Sequence, residues 1–552
     1  MGIRVFNTLT RKKEDFVPRE PGKVSIYQCG VTPYDYTHMG HARQYVLWDV
    51  IRRYLKYRGY KVFCVQNVTD IDDKIIAKAN KAGKTTGQIV EEFNEEFLSS
   101  MDALGVMRPD VYPKVTDHID DIIKVISGLV EKGYAYETGA GVYFDVSRFP
   151  SYGKLSKRSL DEMLAGARVE VDERKDDPMD FALWKKAKPG EPSWDSPWGP
   201  GRPGWHIECS TMALKYLGSG FDMHGGGTDL IFPHHENEIA QSEAYVGGEP
   251  FARYWIHHEM LNVGKQKMSK SLGNFFVVRD VLKRYRPEVV RYFLLSVHYR
   301  SPANFGEAEL EAAKGGWERL QNTIYAVEHL LKRFSSRLSG ARPHEGVAPG
   351  RPHREDGICE GEDKKGEAGD AAEAGKAGEA QTGAQAAAVR LENAIKSARS
   401  RFIEAMDDDF NTALALAALH ELATEVNIFV NRGDLDLVPA QAMVDLLGRV
   451  LNSFRELGGI LGLVAGEGPG PAFSLATESA VTGATTGGGA NPDLDLVEKL
   501  VDLLIDVRQA ARQRKDWATA DEIRGRLAAL GIALEDTPQG TRWKMTDQKR
   551  TD

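Results

Sequence analysis

Two histidines near the start of the chain have the spacing to bind a phosphate group. They lie in the segment "THMGH" (37–41), where His38 and His41 bracket Met-Gly and a helical pattern of apolar residues follows. The first turn of a helix has unpaired N–H groups and a partial positive charge, which suit an anion. Gly40 would let a phosphate or a flat base approach the backbone closely, and the histidines could donate hydrogen bonds to an oxyanion. Two surface histidines at a loop end would give the same pattern, so both interpretations stay open.

A second phosphate-binding candidate lies much further along the chain, in "GKQKMSKSLGN" (264–274). Lys267 and Lys270 lie there in a short loop flanked by Gly264 and Gly273. Lysines on a flexible loop can close over a triphosphate and neutralise the charge that moves onto departing pyrophosphate. An ordinary basic loop is the alternative. The two segments together are typical of an enzyme that cleaves a nucleoside triphosphate.

Cysteine, histidine and glutamate residues that could share a metal occur in several segments. In "HGGGTDLIFPHHENEIAQSEAYVGG" (224–248), a predicted helix would carry His234 and Glu238 on one face, because they are four residues apart. Cys29 and Cys209 could add thiolates from elsewhere in the fold, and zinc takes such ligands in tetrahedral sites. The spacing alone does not establish the site, because the chain has no CxxC motif and a lone cysteine is often a core residue.

The C-terminal tail has a local excess of basic residues. Residues 508–550 contain ten Lys or Arg and six Asp or Glu, and they read as a helix–turn–helix-like unit with a short extended end. Trp517 and Trp543 stand among these basic residues, which suits single-stranded RNA because unstacked bases stack on aromatic rings. A small helical module with a tryptophan core is the alternative.

The elements that would position the histidine pair form a βαβ pattern. Residues 23–29 alternate like a buried strand, the apolar residues from 47 to 55 follow a helical period, Gly59 can end that helix, and residues 60–70 read as a second strand. In a parallel sheet, ligands bind at the carboxyl ends of the strands, which is where the histidine pair lies. We therefore predict an α/β fold with a parallel sheet.

Two segments have the composition of linkers. Residues 336–388 are rich in Gly, Ala, Glu and Lys with almost no large apolar residue, and residues 464–493 are rich in Gly, Ala and Thr. Such segments bury too little surface to offset the entropy of ordering, so we predict a mostly disordered insertion that could form transient helix, and a flexible linker. The region between them has a helical pattern.

Composition indicates a globular protein of a reducing compartment. The chain has 552 residues, of which 42% are hydrophobic and 27% charged, with a net charge of −9. Its four cysteines are too few and too scattered for a disulfide framework. No run approaches the roughly 18 apolar residues that span a membrane, and the N-terminal segment has no apolar signal core. We expect a cytoplasmic location, no membrane association and no indiscriminate binding of nucleic acid.

The HMGH and KMSKS segments resemble the two signature sequences of class I aminoacyl-tRNA synthetases, with Met39 where isoleucine is common. The segments "GWHIECSTMALKYLG" (204–218) and 224–248 resemble the cysteinyl-tRNA synthetase family within that class. The resemblance covers nearly the whole chain outside the linkers. It implies a Rossmann-like catalytic domain over 1–306 with an insertion over 115–205 and a stem-contact region over 250–306, an α-helical bundle over 307–463 that contacts tRNA, and a small C-terminal anticodon-binding module and tail over 494–552.

The resemblance also implies roles for individual residues. These are catalysis by His38, His41, Lys267 and Lys270; ATP binding by Gly40, Asp229 and Lys270; cysteine binding by Thr69 and Trp205; one Zn²⁺ per chain on Cys29, Cys209, His234 and Glu238; and anticodon contacts by Arg512, Trp517, Asp521 and Asp536.

The activity that the resemblance implies is ligation of cysteine to tRNA by a monomer. The carboxylate of L-cysteine would attack the α-phosphate of ATP with Mg²⁺ assisting, and the adenylate would then pass its acyl group to the 3′ end of tRNA(Cys), releasing AMP. A zinc–thiolate bond would exclude serine, which an apolar pocket could not do well.

Two other functions share part of this pattern. A cysteine ligase of low-molecular-weight thiol biosynthesis would use the same adenylate chemistry without an anticodon module, so the tail argues against it. A non-catalytic zinc-binding or tRNA-binding protein would be expected to have lost the signature residues, which this chain retains.

Overall fold

The chain folds into two compact units. The computed structural model describes residues 2–158, 175–264, 266–267, 275–338, 367–464, 492–537 and 540–545. The first unit comprises Met1–Glu318, Ser397–His420 and Ser453–Ala472, and the second comprises Arg319–Lys396, Glu421–Asn452 and Phe473–Asp552.

The strands in chain order are β1 (Arg4–Asn7), β2 (Lys12–Asp15), β3 (Lys23–Val31), β4 (Lys61–Val68), β5 (Ala135–Thr138), β6 (Gly141–Phe144), β7 (Phe181–Lys186), β8 (Gly201–Pro203), β9 (Phe221–Gly227), β10 (Ala252–His258), β11 (Leu261–Val263), β12 (Gln266–Lys267), β13 (Ala303–Asn304), β14 (Ile532–Thr537) and β15 (Gly540–Met545).

The α-helices in chain order are α1 (Met39–Tyr57), α2 (Asp73–Ala82), α3 (Thr86–Ala103), α4 (Ile119–Glu131), α5 (Trp205–Leu217), α6 (Glu236–Val246), α7 (Val278–Leu282), α8 (Pro287–Leu295), α9 (Glu307–Leu338), α10 (Glu367–Asp407), α11 (Thr412–Val430), α12 (Ala440–Leu461), α13 (Pro492–Gln513) and α14 (Trp517–Ala529). Short helical turns occur at Val115–His118, Val146–Arg148, Thr228–Leu230 and Leu435–Leu437, and Ile231–His235 is a π-helical turn.

A parallel four-stranded sheet forms the centre of the first unit, with strand order β10-β9-β3-β4. In β3, Ile26 lies opposite Cys64 of β4 and Met223 of β9, so apolar side chains fill both neighbouring positions. A Cβ on Gly30 would lie 1.5 Å from the carbonyl oxygen of Asn67, so only glycine fits where the ends of β3 and β4 meet. The predicted α/β parallel sheet is confirmed, and β3 extends past its predicted end.

Helix α1 connects β3 to β4, as predicted. It ends at Tyr57, and Gly59 then adopts a φ of 88°, in the left-handed region that favours glycine. Midway along the helix, the buried Asp49 carboxylate accepts a hydrogen bond from Nη2 of Arg291 at 2.7 Å, and Arg291 also donates to the carbonyl of Leu461. The helix is therefore fixed by a buried ion pair as well as by apolar packing.

A second sheet lies within the region predicted as an insertion. Its strand order is β5-β6-β7-β8, and all its pairings are antiparallel. Phe144 and Phe181 stack there with ring centroids 5.0 Å apart, and Trp184 is fully buried. Residues 159–174 are outside the described part of the chain.

The predicted disorder of residues 336–388 needs correction at both ends. Helix α9 continues to Leu338, and α10 already begins at Glu367. The reason is that Ala, Glu and Lys are strong helix formers even where they bury little surface. Residues 339–366 of that segment and 465–491 of the predicted linker lie outside the described residues.

One helix among the described residues, α11, is long and apolar enough to cross a membrane by length and composition. Half of its apolar window is buried inside the protein. A core helix of a helical bundle passes the same test, so the feature is weak support for a membrane span.

The C-terminal module is a pair of helices, α13 and α14, followed by a β-hairpin of β14 and β15. The hairpin replaces the short extended end that the sequence predicts. The core of the C-terminal module contains Val501, Ile505, Leu527, Ile532 and Leu534, with Trp543 packed against them. Trp543 is thus part of the module's core.

Candidate metal centre and nucleotide site

Four side chains predicted as metal ligands converge from different elements of the first unit. Cys29 comes from β3, Cys209 from α5, His234 from the π-helical turn and Glu238 from α6. Their ligand atoms all lie within 4.8 Å of one another, and all four residues are buried. A buried Cys/His/Glu cluster that could bind a metal is therefore present beside the sheet.

The spacing of these atoms suits a tetrahedral ion. Bond lengths of about 2.3 Å to sulfur and about 2.1 Å to oxygen or nitrogen place tetrahedral ligand atoms about 3.4–3.8 Å apart. Sγ of Cys29 lies 3.8 Å from Oε1 of Glu238, and the same oxygen lies 2.8 Å from Nε2 of His234. Small side-chain adjustments would be enough to enclose one ion, so the donor set fits zinc.

The charges of the cluster follow from burial and from contacts among its members. Burial raises the pKa of Cys29 well above its usual value. A hydrogen bond with Cys29 lowers the pKa of Cys209 to about 6 despite burial. Burial disfavours the charged forms of both His234 and Glu238. The charge of Glu238 nevertheless raises the pKa of His234 to about 10. The charges of His224 and His234 lower the pKa of Glu238 to about 2 against the effect of burial. At neutral pH the metal-free cluster thus holds a thiolate and a carboxylate beside a protonated His234, and a cation that displaces that proton would meet two negative ligands.

Sequence reasoning missed a second group of histidines around the cluster. Nε2 of His224 lies 2.7 Å from Oε2 of Glu238, and Nε2 of His235 lies 3.3 Å from Sγ of Cys29. An alternative ligand set, whose ligand atoms also lie within 4.8 Å of one another, consists of Cys29, His224, His235 and Glu238. It shares Cys29 and Glu238 with the predicted set. The available signal was the repeated histidine in "HGGG" and "PHHENE", since β9 and the turn after it bring those segments together.

The two signature histidines form the start of α1. His38 is the N-cap residue, its Nδ1 accepts from the backbone N–H of His41 at 3.3 Å, and Nδ1 of His41 lies 3.4 Å from the backbone N of His38 as an acceptor. The rings stack with centroids 3.8 Å apart. Because a neutral imidazole with an accepting Nδ1 carries its proton on Nε2, both rings have an Nε2–H donor. Two donors beside a helix N-terminus suit a phosphate.

Part of the second signature is described. Lys267 is described by its backbone alone, in β12, where it lies opposite Asn262 of β11. Lys270 is among the residues outside the described part of the chain.

The segment after the second signature pairs with the first one. The backbone N–H of Met39 donates to the carbonyl of Phe276 at 2.9 Å, and that of Val278 donates to the carbonyl of Thr37 at 2.8 Å. Two hydrogen bonds of this kind hold the flanks of the signatures together. The segment that follows the second signature therefore lies beside the histidine pair.

The predicted cysteine-binding residues lie next to the metal cluster. Trp205 is 39% exposed and its ring stacks on His234, with centroids 4.4 Å apart. Thr69 is buried, and its hydroxyl donates to Oε2 of Glu208 at 3.0 Å. Trp205 thus covers one face of a candidate ligand, whereas the Thr69 hydroxyl proton is engaged by a neighbouring carboxylate.

Asp229 lies in the helical turn directly after β9 and is exposed. A Cβ on Gly227 would lie 2.4 Å from Oδ1 of Asp229, so the glycine lets this carboxylate lie over the strand end. The residue is at the carboxyl edge of the sheet, where a nucleotide is expected.

The four predicted anticodon residues differ in exposure. Both oxygens of Asp536 accept from Arg508 at 2.8 Å, Arg512 adds a third contact, and the hydrogen bond from Arg508 keeps the pKa of Asp536 well below its usual value. Trp517 is 57% exposed, and Asp521 is exposed four residues further along the same helix. Trp517 and Asp521 thus lie on one exposed helix face, while Asp536 is held in an ion pair. Sequence reasoning missed Arg508, the partner of Asp536.

Comparison with known proteins agrees with this arrangement. Residues 15–315 match the tRNA synthetases class I (C) catalytic domain, residues 401–465 match the DALR domain, and residues 497–543 match the cysteinyl-tRNA ligase anticodon binding domain. Among solved structures, a Mycobacterium tuberculosis methionyl-tRNA synthetase in complex with methionyl-adenylate has a TM-score of 0.55 at 16% identity, over 80% of this chain and 91% of that one. That likeness concerns the fold. The catalytic fold and the domain matches define a class I aminoacyl-tRNA synthetase.

Full-length relatives define the family within that class. The cysteine–tRNA ligase of Heliobacterium modesticaldum is 49% identical over 544 residues, 99% of this chain and 100% of that protein. The cysteine–tRNA ligase of Moorella thermoacetica is 50% identical over 541 residues, 98% of this chain and 99% of that protein. The chain belongs to the cysteine–tRNA ligase family, and its function is that of a cysteine–tRNA ligase. The predicted family, fold class and enzyme class are confirmed, and neither alternative function is favoured.

Proposed function

We propose that this ligase activates L-cysteine with ATP at the carboxyl edge of the parallel sheet and transfers it to tRNA(Cys). The observation that carries the proposal is the buried cluster of Cys29, Cys209, His234 and Glu238 beside the start of α1. Nε2 of Gln44, on the first turns of that helix, donates to the carbonyl of Cys29 at 2.9 Å. Sulfur recognition and phosphate binding would thus be held in a fixed relation.

The four clustered residues would hold one Zn²⁺ per chain. When bound, zinc would supply a soft Lewis acid that prefers a thiolate to a hydroxyl. Trp205, stacked on His234, would limit access of water to this side of the site. Glu208, Thr69 and Asn67 form a hydrogen-bonded chain beside Cys209, which would fix the wall of the cysteine pocket.

The nucleotide would lie between the two signature segments. His38 and His41 would donate from Nε2 to phosphate oxygens, Gly40 would allow close approach of the nucleotide, and Asp229 would accept from the ribose. Lys267 and Lys270 would neutralise charge on the departing pyrophosphate, and Mg²⁺ would accompany ATP. The cysteine carboxylate would then attack the α-phosphate, since these residues position the groups and stabilise charge.

Transfer to tRNA would use the remaining regions. The helices of 307–463 would contact the tRNA body, and the module over 494–552 would read the anticodon. Trp517 would stack on a base, and Asp521 would accept from a base amino group. Arg512 and Asp536, which are paired with each other, would shape that surface and contribute charge.

We also propose that the ligase acts as a monomer in the cytoplasm. The described cysteines, Cys29, Cys64 and Cys209, are free and buried, which suits a reducing compartment.

Aminoacylation of tRNA with a GCA anticodon tests the proposal. Protein stripped of metal should lose most of its activity and regain it with Zn²⁺, whereas tRNA with an altered anticodon should be a poor substrate in both states. Full activity of the metal-free protein would contradict the zinc assignment, and equal activity on the altered tRNA would contradict the anticodon assignment.

A further inference from the structure

The turn between α10 and α11 has an unusual backbone. Asp409 and Phe410 adopt φ values of 67° and 50°, in a region that bulky side chains rarely occupy. Such backbones persist where the surroundings fix them, and they cluster at functional positions. Phe410 and Asp409 are both fully buried, so the turn holds an ionisable side chain inside the first unit.

Asp409 connects two distant segments of that unit. Its Oδ1 accepts from the backbone N–H of Phe6 at 2.8 Å and from the hydroxyl of Tyr299 at 2.6 Å. Its Oδ2 accepts from Nε of Arg300 at 2.7 Å, and Nε2 of His298 lies 3.6 Å away. The carboxylate is thus the common acceptor for Tyr299 and Arg300, with the His298 ring close by.

The segment held by Asp409 is itself hydrogen-bonded to both signature regions. The carbonyl of Tyr299 accepts from the backbone N–H of Glu259 at 2.8 Å and from Nη2 of Arg43 at 3.3 Å. Arg43 follows His41 by two residues on α1, and it also donates to the carbonyl of Ser301 at 2.5 Å.

The hydrogen bond from Glu259 connects the held segment to the strands before the second signature. Glu259 directly follows β10, and β11 then runs into β12, which contains Lys267. Strand β13, just beyond the held segment, pairs with β11 in parallel. The held segment therefore contacts the residue between β10 and β11 and the helix that carries the first signature, and the chain just beyond it pairs with the strand that leads into the second.

We propose that Asp409 is a positioning residue for cysteine activation. It fixes Tyr299 and Arg300, and through them it fixes the position of α1, which carries the histidine pair, relative to the β11–β12 strands, the second of which contains Lys267. The inference rests on the proposed roles of His41 and Lys267. The Asp409 carboxylate reaches the signature regions through Tyr299 and not directly, so its loss should lower the rate of adenylate formation and leave cysteine binding intact.

The same turn contains a matched control. Asp408 forms an ion pair with Lys13 at 2.7 Å, and its side chain is 53% exposed. Its contact is on the surface and touches neither signature region. Asp408→Asn removes the same charge one residue away from Asp409→Asn.

The experiment compares these two variants with the unaltered, zinc-loaded ligase in ATP–pyrophosphate exchange. Asp409→Asn should lower kcat at least about tenfold, because a small misplacement of reacting groups is costly. Its dissociation constant for cysteine, measured by calorimetry without ATP, and its zinc content should stay within about twofold of the unaltered ligase. Asp408→Asn should keep its kcat within about twofold.

Three outcomes would overturn the proposal: a folded Asp409→Asn with unchanged kcat, an equal loss in Asp408→Asn, or a loss of cysteine affinity as large as the loss of kcat. If Asp409→Asn does not fold, Tyr299→Phe decides, because it removes one donor and keeps the Tyr299 carbonyl; an unchanged kcat there would equally overturn the proposal. His41→Ala tests the proposed catalytic role of the signature residues separately from the positioning role of Asp409. Full activity of that variant would reject the signature roles, whatever the result for Asp409→Asn.

Discussion

Nε2 of His234 lies 2.8 Å from Oε1 of Glu238, a residue that follows it by four positions. The other carboxylate oxygen of Glu238 lies 2.7 Å from Nε2 of His224, so both oxygens have a partner inside the protein. A partner on the second oxygen fixes the orientation of a carboxylate ligand and commonly raises metal affinity. The pair thus gives the cluster one oriented oxygen, which is what a selective metal site requires.

The ligand set predicts metal content. Cys209→Ala should lose zinc on dialysis against a chelator, because it removes the thiolate with the lowered pKa. Cys64→Ala is the control, since Cys64 is equally buried on β4 and belongs to neither candidate set. Elemental analysis should give one zinc in the unaltered ligase and in Cys64→Ala. Retention of a full zinc by Cys209→Ala would favour the alternative set of Cys29, His224, His235 and Glu238.

Zinc binding should release protons. Burial raises the pKa of Cys29, and the charge of Glu238 raises the pKa of His234 to about 10 despite burial, so both groups hold a proton at pH 7.5 in the metal-free protein. A metal displaces both, which gives about two protons per zinc and an affinity that rises with pH. Calorimetry in buffers of different ionisation enthalpy measures the number. An enthalpy independent of the buffer would contradict the assigned charges.

The C-terminal module should affect tRNA without affecting activation. Trp517→Ala removes an exposed ring and should raise KM for tRNA about tenfold, since a stacked base contributes about 1–3 kcal/mol. Leu530→Ala is a control in the same module, because Leu530 is also exposed, at 67%. Steady-state aminoacylation and ATP–pyrophosphate exchange separate the two effects. A large drop in exchange for Trp517→Ala would contradict a role confined to tRNA.

The buried ion pair between Asp49 of α1 and Arg291 should contribute strongly to the stability of the first unit. Asp49→Asn leaves Arg291 buried without its carboxylate and should cost about 3–5 kcal/mol of unfolding free energy. The double variant Asp49→Leu/Arg291→Met should be less destabilised than the sum of its single variants, because neither member of this buried pair is left without its partner, and the loss of the Arg53 contact with Asp49 is common to Asp49→Leu and the double variant. Chemical denaturation followed by circular dichroism measures the cycle. Additive losses would show that the two residues act independently.

Local pattern was enough to predict the elements nearest the site. The alternation of residues 23–29, the helical period from 47 to 55 and the turn at Gly59 are properties of short segments, and the structure has them in those places. The four-residue spacing predicted the contact of His234 and Glu238, although His234 lies in the π-helical turn before α6 and not on the predicted helix. The convergence of Cys29 and Cys209 on that face depended on the family resemblance, because no local rule relates residues so far apart in sequence.

Contacts between distant segments explain what the sequence did not predict. His224 lies beside Glu238 because β9 and the turn after it fold back on α6, and Arg508 pairs with Asp536 because a hairpin returns to α13. The helix over 367–388 was predicted only as transient, for a different reason. Its composition is poor in large apolar residues, so composition indicated disorder while helix propensity decided the backbone.

Selection of cysteine by its sulfur atom is the central claim, and ATP–pyrophosphate exchange with L-cysteine and L-serine tests it most directly. The two substrates differ at one atom, so a site that binds thiolate through a soft metal should discriminate strongly. We predict a kcat/KM for serine at least about 1,000-fold below that for cysteine. Exchange with serine within about tenfold of cysteine would contradict the account, because an ordinary small pocket would then explain the selectivity.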